Sequence, residues 1–175
     1  MTYHRNVPVT FSDLLARDHE RLDALLTDAL RGDGAVDEAV YLEFRRGLLR
    51  HIGIEERILF PEIRRLGASS EVERQLHRDH AALASLLVPP PSRAEIEQIR
   101  AILIAHNPLE EGEGGFYQRM ERLAGDEVEA LTARVRAYPE VRTAPYTDTP
   151  ILRRSIETLL REAQEGRARL RGARS

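Results

Sequence analysis

Six residues of this 175-residue chain stand out by type and spacing. His51 and Glu55 are four apart, His106 and Glu110 are four apart, and His19 and His80 stand singly. On a helix, residues four apart share one face. Phe44, Leu48, Ile58 and Leu59 fall at helical spacing around the first pair, and Ile99 and Leu103 precede the second. Both pairs therefore lie on stripes that should be buried. A carboxylate buried beside an imidazole is costly unless something pairs with both, and a metal ion is the simplest such partner. A single pair of this kind on an exposed helix is only an ion pair. Two pairs on two apolar faces, with His19 and His80 central to two further stripes, point to one metal-holding polar layer inside a bundle.

The sequence has no cysteine, which leaves nitrogen and oxygen as its strong metal ligands. Imidazole with carboxylate suits iron, zinc, manganese and copper, while the lack of thiolate counts against a structural zinc site. Two glutamates on facing helices can bridge two ions, with histidines completing the outer positions, as in dinuclear carboxylate bundles. Those bundles use Glu-x-x-His. Here the order is His-x-x-x-Glu and imidazole outnumbers carboxylate, so the site is relatively rich in nitrogen.

Helices must bring these residues to one level. A first helix is expected from the capping box Thr10–Asp13, with Leu15, His19, Leu22 and Leu26 on one face, ending at Gly32. A second runs from Asp37 to Leu66 and is closed by Gly67, with a kink or break at Pro61. A third starts at Ser70 with Glu73 as its reciprocal cap, carries Leu76, His80, Leu83 and Leu87, and stops at Pro89. A fourth starts at Ser92 with Glu95 and carries Ile96, Ile99, Leu103, His106 and Glu110. His19 and His51 both fall roughly 20 Å from the shared end of their helices. The expected fold is all-α, an up-down-up-down four-helix bundle with a C-terminal helical extension.

After Glu113-Gly114-Gly115-Phe116 breaks the periodicity, a short helix is expected from Asp126 to Tyr138, then a linker from Pro139 to Pro150. Thr149-Pro150 reads as the start of a final helix with apolar positions Ile151, Leu152, Ile156, Leu159 and Leu160 and an Arg-rich end. This segment is expected to pack on the bundle or on a protein partner. The net charge of −3 predicts no nucleic-acid binding. No stretch approaches 18 apolar residues and Met1 to Pro8 has no apolar run, so the expected address is the cytoplasm, away from membranes. His4 reads as surface.

Four stretches resemble the hemerythrin-like (HHE cation-binding) family. They are Asp18-His19-Glu20-Arg21-Leu22, the run from His51 through Glu55-Glu56 to Leu59-Phe60-Pro61, Arg78-Asp79-His80, and His106-Asn107-Pro108-Leu109-Glu110-Glu111. The resemblance covers roughly residues 10–123, with residues 124–175 left as short helix, linker and Arg-rich helix. It implies two non-haem, carboxylate-bridged irons, with zinc or manganese ranking behind. His19, His51, His80 and His106 would be terminal ligands, and Glu55 and Glu110 bridges. It also implies a small diatomic gas or peroxide as ligand, in sensing, storage or stress protection. The alternatives are a di-iron enzyme (peroxidase, oxidase or iron-donating repair factor) and a metal-stabilised interaction module.

The sequence departs from the family pattern twice. Oxygen-carrying members have two histidines four apart on the third helix, whereas His77 and His80 are three apart. His77 lies about 60° to one side of His80, as an additional ligand, as a partner of one, or as a rim residue paired with Glu73. Pro108 and the glycines after it disturb the second motif, which leaves Glu111 or Glu113 as alternatives to Glu110. Tyr117, two turns below Glu110 if the helix continues, approaches the site or fills the core beneath it.

Overall fold

The computed structural model describes residues 9–30 and 35–173. His4 and Gly32 fall outside the described residues. The rest is all-α, with no strand among the described residues. Helix α1 spans Phe11–Asp28 and α2 spans Glu38–Ile54; α2 continues through a π-helical turn, Glu55–Leu59, into α3, Phe60–Arg65. Helix α4 is Glu71–Leu86 and α5 is Arg93–Glu111. They are followed by α6, Phe116–Ala124, α7, Val128–Arg136, and α8, Pro150–Gly172.

The first four rods form the bundle, and two apolar clusters fix its direction. One gathers Leu22, Leu26, Phe44, Leu48, Leu83 and Ile99; the other gathers Phe11, Leu15, Ile54, Leu59, Leu76 and Phe116. Helix α1 passes from Leu15 in the second cluster to Leu22 in the first, and α2 returns from Leu48 to Ile54. Helix α4 passes from Leu76 to Leu83, and α5 returns from Ile102 towards Leu109. This is up-down-up-down. Each rod changes cluster at or just beyond its histidine, so His19, His51, His80 and His106 lie at one level between two apolar ends.

The helix starts follow the capping chemistry. Thr10 and Asp13 make the full reciprocal box. At α4, Ser70 accepts from the Glu73 amide, but the Glu73 carboxylate turns to Arg64 Nε at 2.8 Å instead of back to the cap. At α5, Ser92 accepts from the Glu95 amide, and the Glu95 carboxylate takes Arg153 of α8. Gly67, at φ +66°, ends α3 in the left-handed conformation that glycine adopts without strain.

The second rod has a widened turn where a kink or break was expected. Proline has no N–H and its ring crowds the carbonyl four residues back. One turn ahead of Pro61 the helix opens, and the Phe60 N–H donates to the Glu55 carbonyl, five residues away. The extra residue lets Glu55 face the interior while Glu56 faces α4. Pro108 disturbs less than the sequence suggested. Helix α5 continues through it to Glu111, so the lost bond falls on the carbonyl of Ile104, an exposed residue.

Beyond the bundle, periodicity resumes sooner than expected. Phe116, Tyr117, Met120 and Ala124 form the buried face of α6, and α7 begins at Val128 rather than Asp126. Tyr138, just past α7, lies against Gly53, where any side chain would strike its ring. The linker is held to the bundle by Arg45 Nη1 donating to the Ala144 carbonyl at 2.9 Å and the Thr147 amide donating to the Val88 carbonyl at 3.1 Å. Helix α8, capped by Thr149, lays Ile156, Ala163 and Gly166 against the bundle, chiefly on α4, while Ile151 stays in solvent. No helix among the described residues is long and apolar enough to cross a membrane.

Leu76 and Leu83 lie about one turn either side of His80, and both are wholly buried. Truncating either to Ala should cost about 2–5 kcal/mol in denaturant unfolding. Ile104→Ala, at a residue 70% exposed, should stay within about 0.5 kcal/mol.

Candidate metal centre

All four interhelical histidines aim Nε2 inward. His19 Nε2 and His51 Nε2 face each other at 2.9 Å. His106 Nε2 lies 3.0 Å from Glu110 Oε1, and His19 Nε2 lies 3.2 Å from Glu110 Oε2. His80 Nε2 lies 3.1 Å from Glu55 Oε2, and His51 Nε2 is 3.6 Å from the same oxygen. Two groups of possible metal ligands result: Glu55, His80, His106 and Glu110 in one half, and His19, His51 and Glu110 in the other. Glu110 offers one oxygen to each half. All six residues are buried.

The outward nitrogens are equally ordered. His51 Nδ1 faces Asp18 at 3.0 Å, His80 Nδ1 faces Glu56 at 2.8 Å, His106 Nδ1 faces Asp79 at 3.3 Å and His19 Nδ1 faces Glu111 at 3.2 Å. Each acid neighbours a candidate ligand on its own rod and holds the histidine of the next. Asp18 of α1 serves α2, Glu56 of the π turn serves α4, Asp79 of α4 serves α5, and Glu111 of α5 serves α1. The ring closes. A carboxylate on Nδ1 keeps the proton there and leaves the Nε2 lone pair free for a metal.

The central atoms are poorly satisfied by the protein itself. Among the described residues, Glu55 Oε2, His80 Nε2 and Glu110 Oε1 are buried without a hydrogen-bond partner, although opposite groups stand within 3.1 Å. They are close but not aligned to one another. Buried polar atoms seldom go unpaired, and a cation between them would satisfy all three. The donor set, imidazole and carboxylate with no thiolate, fits iron.

The electrostatics agree. Burial opposes the charged form of His19, but hydrogen bonding to Glu110 and its charge, with Glu55 and Glu111 behind, raise its pKa to about 9. His80 is buried too and is raised well above its ordinary value by Glu110, Glu55 and Glu56. His106 is raised, against its burial, by Glu110 and Asp79. Burial would lift Glu110, yet His106, His19 and His80 hold it well below the usual carboxylate range. The carboxylates of the layer thus favour positive charge beside them.

Tyr117 belongs to the cluster. Its hydroxyl donates to Glu55 Oε1 at 2.6 Å and lies 3.3 Å from Glu110 Oε2 and 3.4 Å from His51 Nε2. Burial and the two carboxylates hold its pKa well above the phenol value, so it stays a donor. His77 does not join. It is 61% exposed, with Nδ1 on Glu56 at 2.9 Å, a rim residue whose partner is Glu56 and not Glu73. Glu111, 38% exposed, orients His19 from outside, and Glu113 faces solvent. By sequence all four fell at or near the layer; of them, Tyr117 alone touches the central carboxylates. The holding acids leave a trace in sequence, the repeated Asp-His and Glu-Glu pairs, but their cross-helix pairing does not.

The two halves differ in access. A groove of about 280 Å³ between α1 and α5 is lined by His19 with Leu22, Leu103, Ile104, Asn107 and Glu111. Between α5 and α8 a second groove, of about 240 Å³, is lined by Ala105, Pro108, Leu109, Arg167 and Leu170, with no candidate ligand among its walls.

A metal must displace the protons of these imidazoles, so uptake should strengthen as pH rises from 6.5 towards 9. Metal-free protein should show the opposite trend. The contribution of His19 is fully present below its ordinary value of 6.5 and is lost as pH rises through about 9. The thermal midpoint of metal-free protein should therefore fall across that window while apparent metal affinity climbs. A flat midpoint would contradict a protonated cluster.

The hemerythrin HHE cation-binding domain model matches residues 10–114, more than half of the chain. Comparison with curated proteins found no match, and comparison with solved structures found none. The match ends just after the last candidate ligand and contains all six of them, so the motifs, the all-α bundle and the match agree: this chain belongs to the hemerythrin HHE cation-binding family.

Proposed function

We propose that this protein is a cytoplasmic non-haem di-iron protein that binds dioxygen, nitric oxide or peroxide, in sensing, storage or stress protection. One observation carries the reading. Four imidazole Nε2 atoms and two carboxylates converge in one buried layer, and Glu110 presents an oxygen to each half. In this reading His80 and His106 would hold one iron and His19 and His51 the other, with Glu55 and Glu110 as the shared carboxylates. Bound iron supplies the open coordination position and the redox electrons. The chain orients the imidazoles through their Nδ1 acids, keeps water out with apolar clusters on both sides, and offers a hydroxyl proton from Tyr117. The groove lined by His19 is the side from which a diatomic gas or peroxide would approach the second half.

A second reading is favoured by Tyr117. A buried phenol on Glu55 is a redox-active group beside the cluster, which suits a peroxidase or oxidase. Turnover of peroxide with a reductant, reduced in Tyr117→Phe, would favour the enzyme over the binding protein. The interaction-module alternative has less support, because most of the apolar stripe of α8, from Leu152 to Ala163, packs on the bundle.

Metal analysis with ultraviolet–visible spectra before and after anaerobic reduction and re-exposure to oxygen tests the reading. The expected result is about two irons per chain, with near-ultraviolet bands that bleach and return. Glu55→Ala and His80→Ala should lose metal, and His77→Ala should keep it. Protein from iron-replete cells that holds no iron, and takes up none anaerobically, would refute the di-iron reading. Zinc in its place would make the layer structural.

A further inference from the structure

The four acids that hold the histidines are themselves held differently. Asp18 takes Arg21 Nη2 at 2.7 Å, three residues along its own helix. Glu56 takes the exposed His77, and Glu111 is partly in solvent. Asp79 alone is completely buried. Its Oδ2 faces His106 Nδ1; its Oδ1 accepts from Gln75 Nε2 at 2.8 Å and from Arg167 Nη1 of α8. The same Gln75 amide also donates to the Ala163 carbonyl of α8 at 2.9 Å. Gly166 permits this approach, because a Cβ there would collide with Gln75 Oε1. Arg167, 88 residues along the chain from Asp79, thus reaches the group that orients a candidate ligand.

We propose that α8 is a latch on one half of the metal centre and that Arg167 is a positioning residue for His106, acting through Asp79. The inference rests on the metal reading above. A carboxylate fixed by three donors cannot rotate, so the imidazole it holds keeps Nε2 on Glu110. Without Arg167, a buried carboxylate loses its charged partner, which is strongly unfavourable, and it is free to turn away from His106. The half built on His80 and His106 then loosens. The half built on His19 and His51 does not, because its acids, Glu111 and Asp18, are held without α8. The C-terminal helix therefore sets the difference in lability between the two metals.

The test loads wild type, Arg167→Met, Arg167→Lys and Arg169→Gln with iron anaerobically and follows iron released per chain to a chelator. Arg169 is the control, an exposed residue whose partner is Glu165. Arg167→Met should hold one of its two irons roughly 10–100-fold more weakly and the other as wild type does. Arg167→Lys should fall between, and Arg169→Gln should match wild type. Nitrogen-15 spectra of the metal-free proteins should show the His106 Nδ1–H exchanging faster in Arg167→Met, with the His51 Nδ1–H unchanged. If both irons leave Arg167→Met at wild-type rates, or both leave faster together, with His106 undisturbed, the latch is refuted. If wild type binds no metal, the metal reading fails instead, and the His106 signal in the metal-free proteins still decides whether Arg167 positions that ring. Should Arg167→Met fail to fold, Arg167→Lys carries the same two measurements.

Discussion

The constraint on which the structure depends is the convergence of four imidazoles and two carboxylates in a layer shielded from water. Such a layer tends to push a bundle apart. Desolvation opposes every charge in it, and mutual attraction among the groups only partly offsets that cost. The chain meets the constraint from both sides. Apolar clusters above and below it supply the cohesion that the layer lacks. Around its edge, four acids fix the Nδ1 of each ring, so the Nε2 atoms have no freedom to seek other partners.

That ring of acids also ties the four rods together. Each rod presents a candidate ligand and, on the adjacent residue, the acid that serves the next rod's histidine. The four interhelical contacts, Asp18–His51, Glu56–His80, Asp79–His106 and Glu111–His19, form a closed circuit. Displacing one helix disturbs the ligand it carries and the orientation of a neighbour's ligand. Local helix geometry and metal-site geometry are therefore the same problem here, and the backbone irregularities fall where they would be expected. The π turn begins at Glu55, and Pro108 sits inside the His106–Glu110 motif. Widened turns of this kind occur often at functional sites, where they re-aim side chains.

The additions after the bundle are not passive. Helix α6 returns Tyr117 to the layer, and α8 reaches Asp79 through Arg167. One half of the centre is braced by the C-terminal helix. The other faces a groove between α1 and α5. A bundle built from near-equivalent rods thus acquires two unequal halves.

Much of this was legible in the sequence. Helical periodicity placed His19, His51, His80 and His106 on buried stripes, because burial on a helix repeats every 3.6 residues and needs no tertiary information. The caps at Thr10, Ser70, Ser92 and Thr149 follow from local hydrogen bonding and came out at the predicted residues. What only the tertiary structure decided were relations between helices. Glu110 rather than Glu111 faces inward because α5 absorbs Pro108 on its solvent side. His77 turns to Glu56, a partner 21 residues away, rather than to Glu73 on its own helix. Tyr117 reaches Glu55 because α6 turns back beneath the layer, and Arg167 reaches Asp79 because Gly166 lets α8 approach α4. Periodicity assigns a residue to a face. Which neighbour that face meets depends on how the rods cross, and that is fixed by packing over the whole bundle.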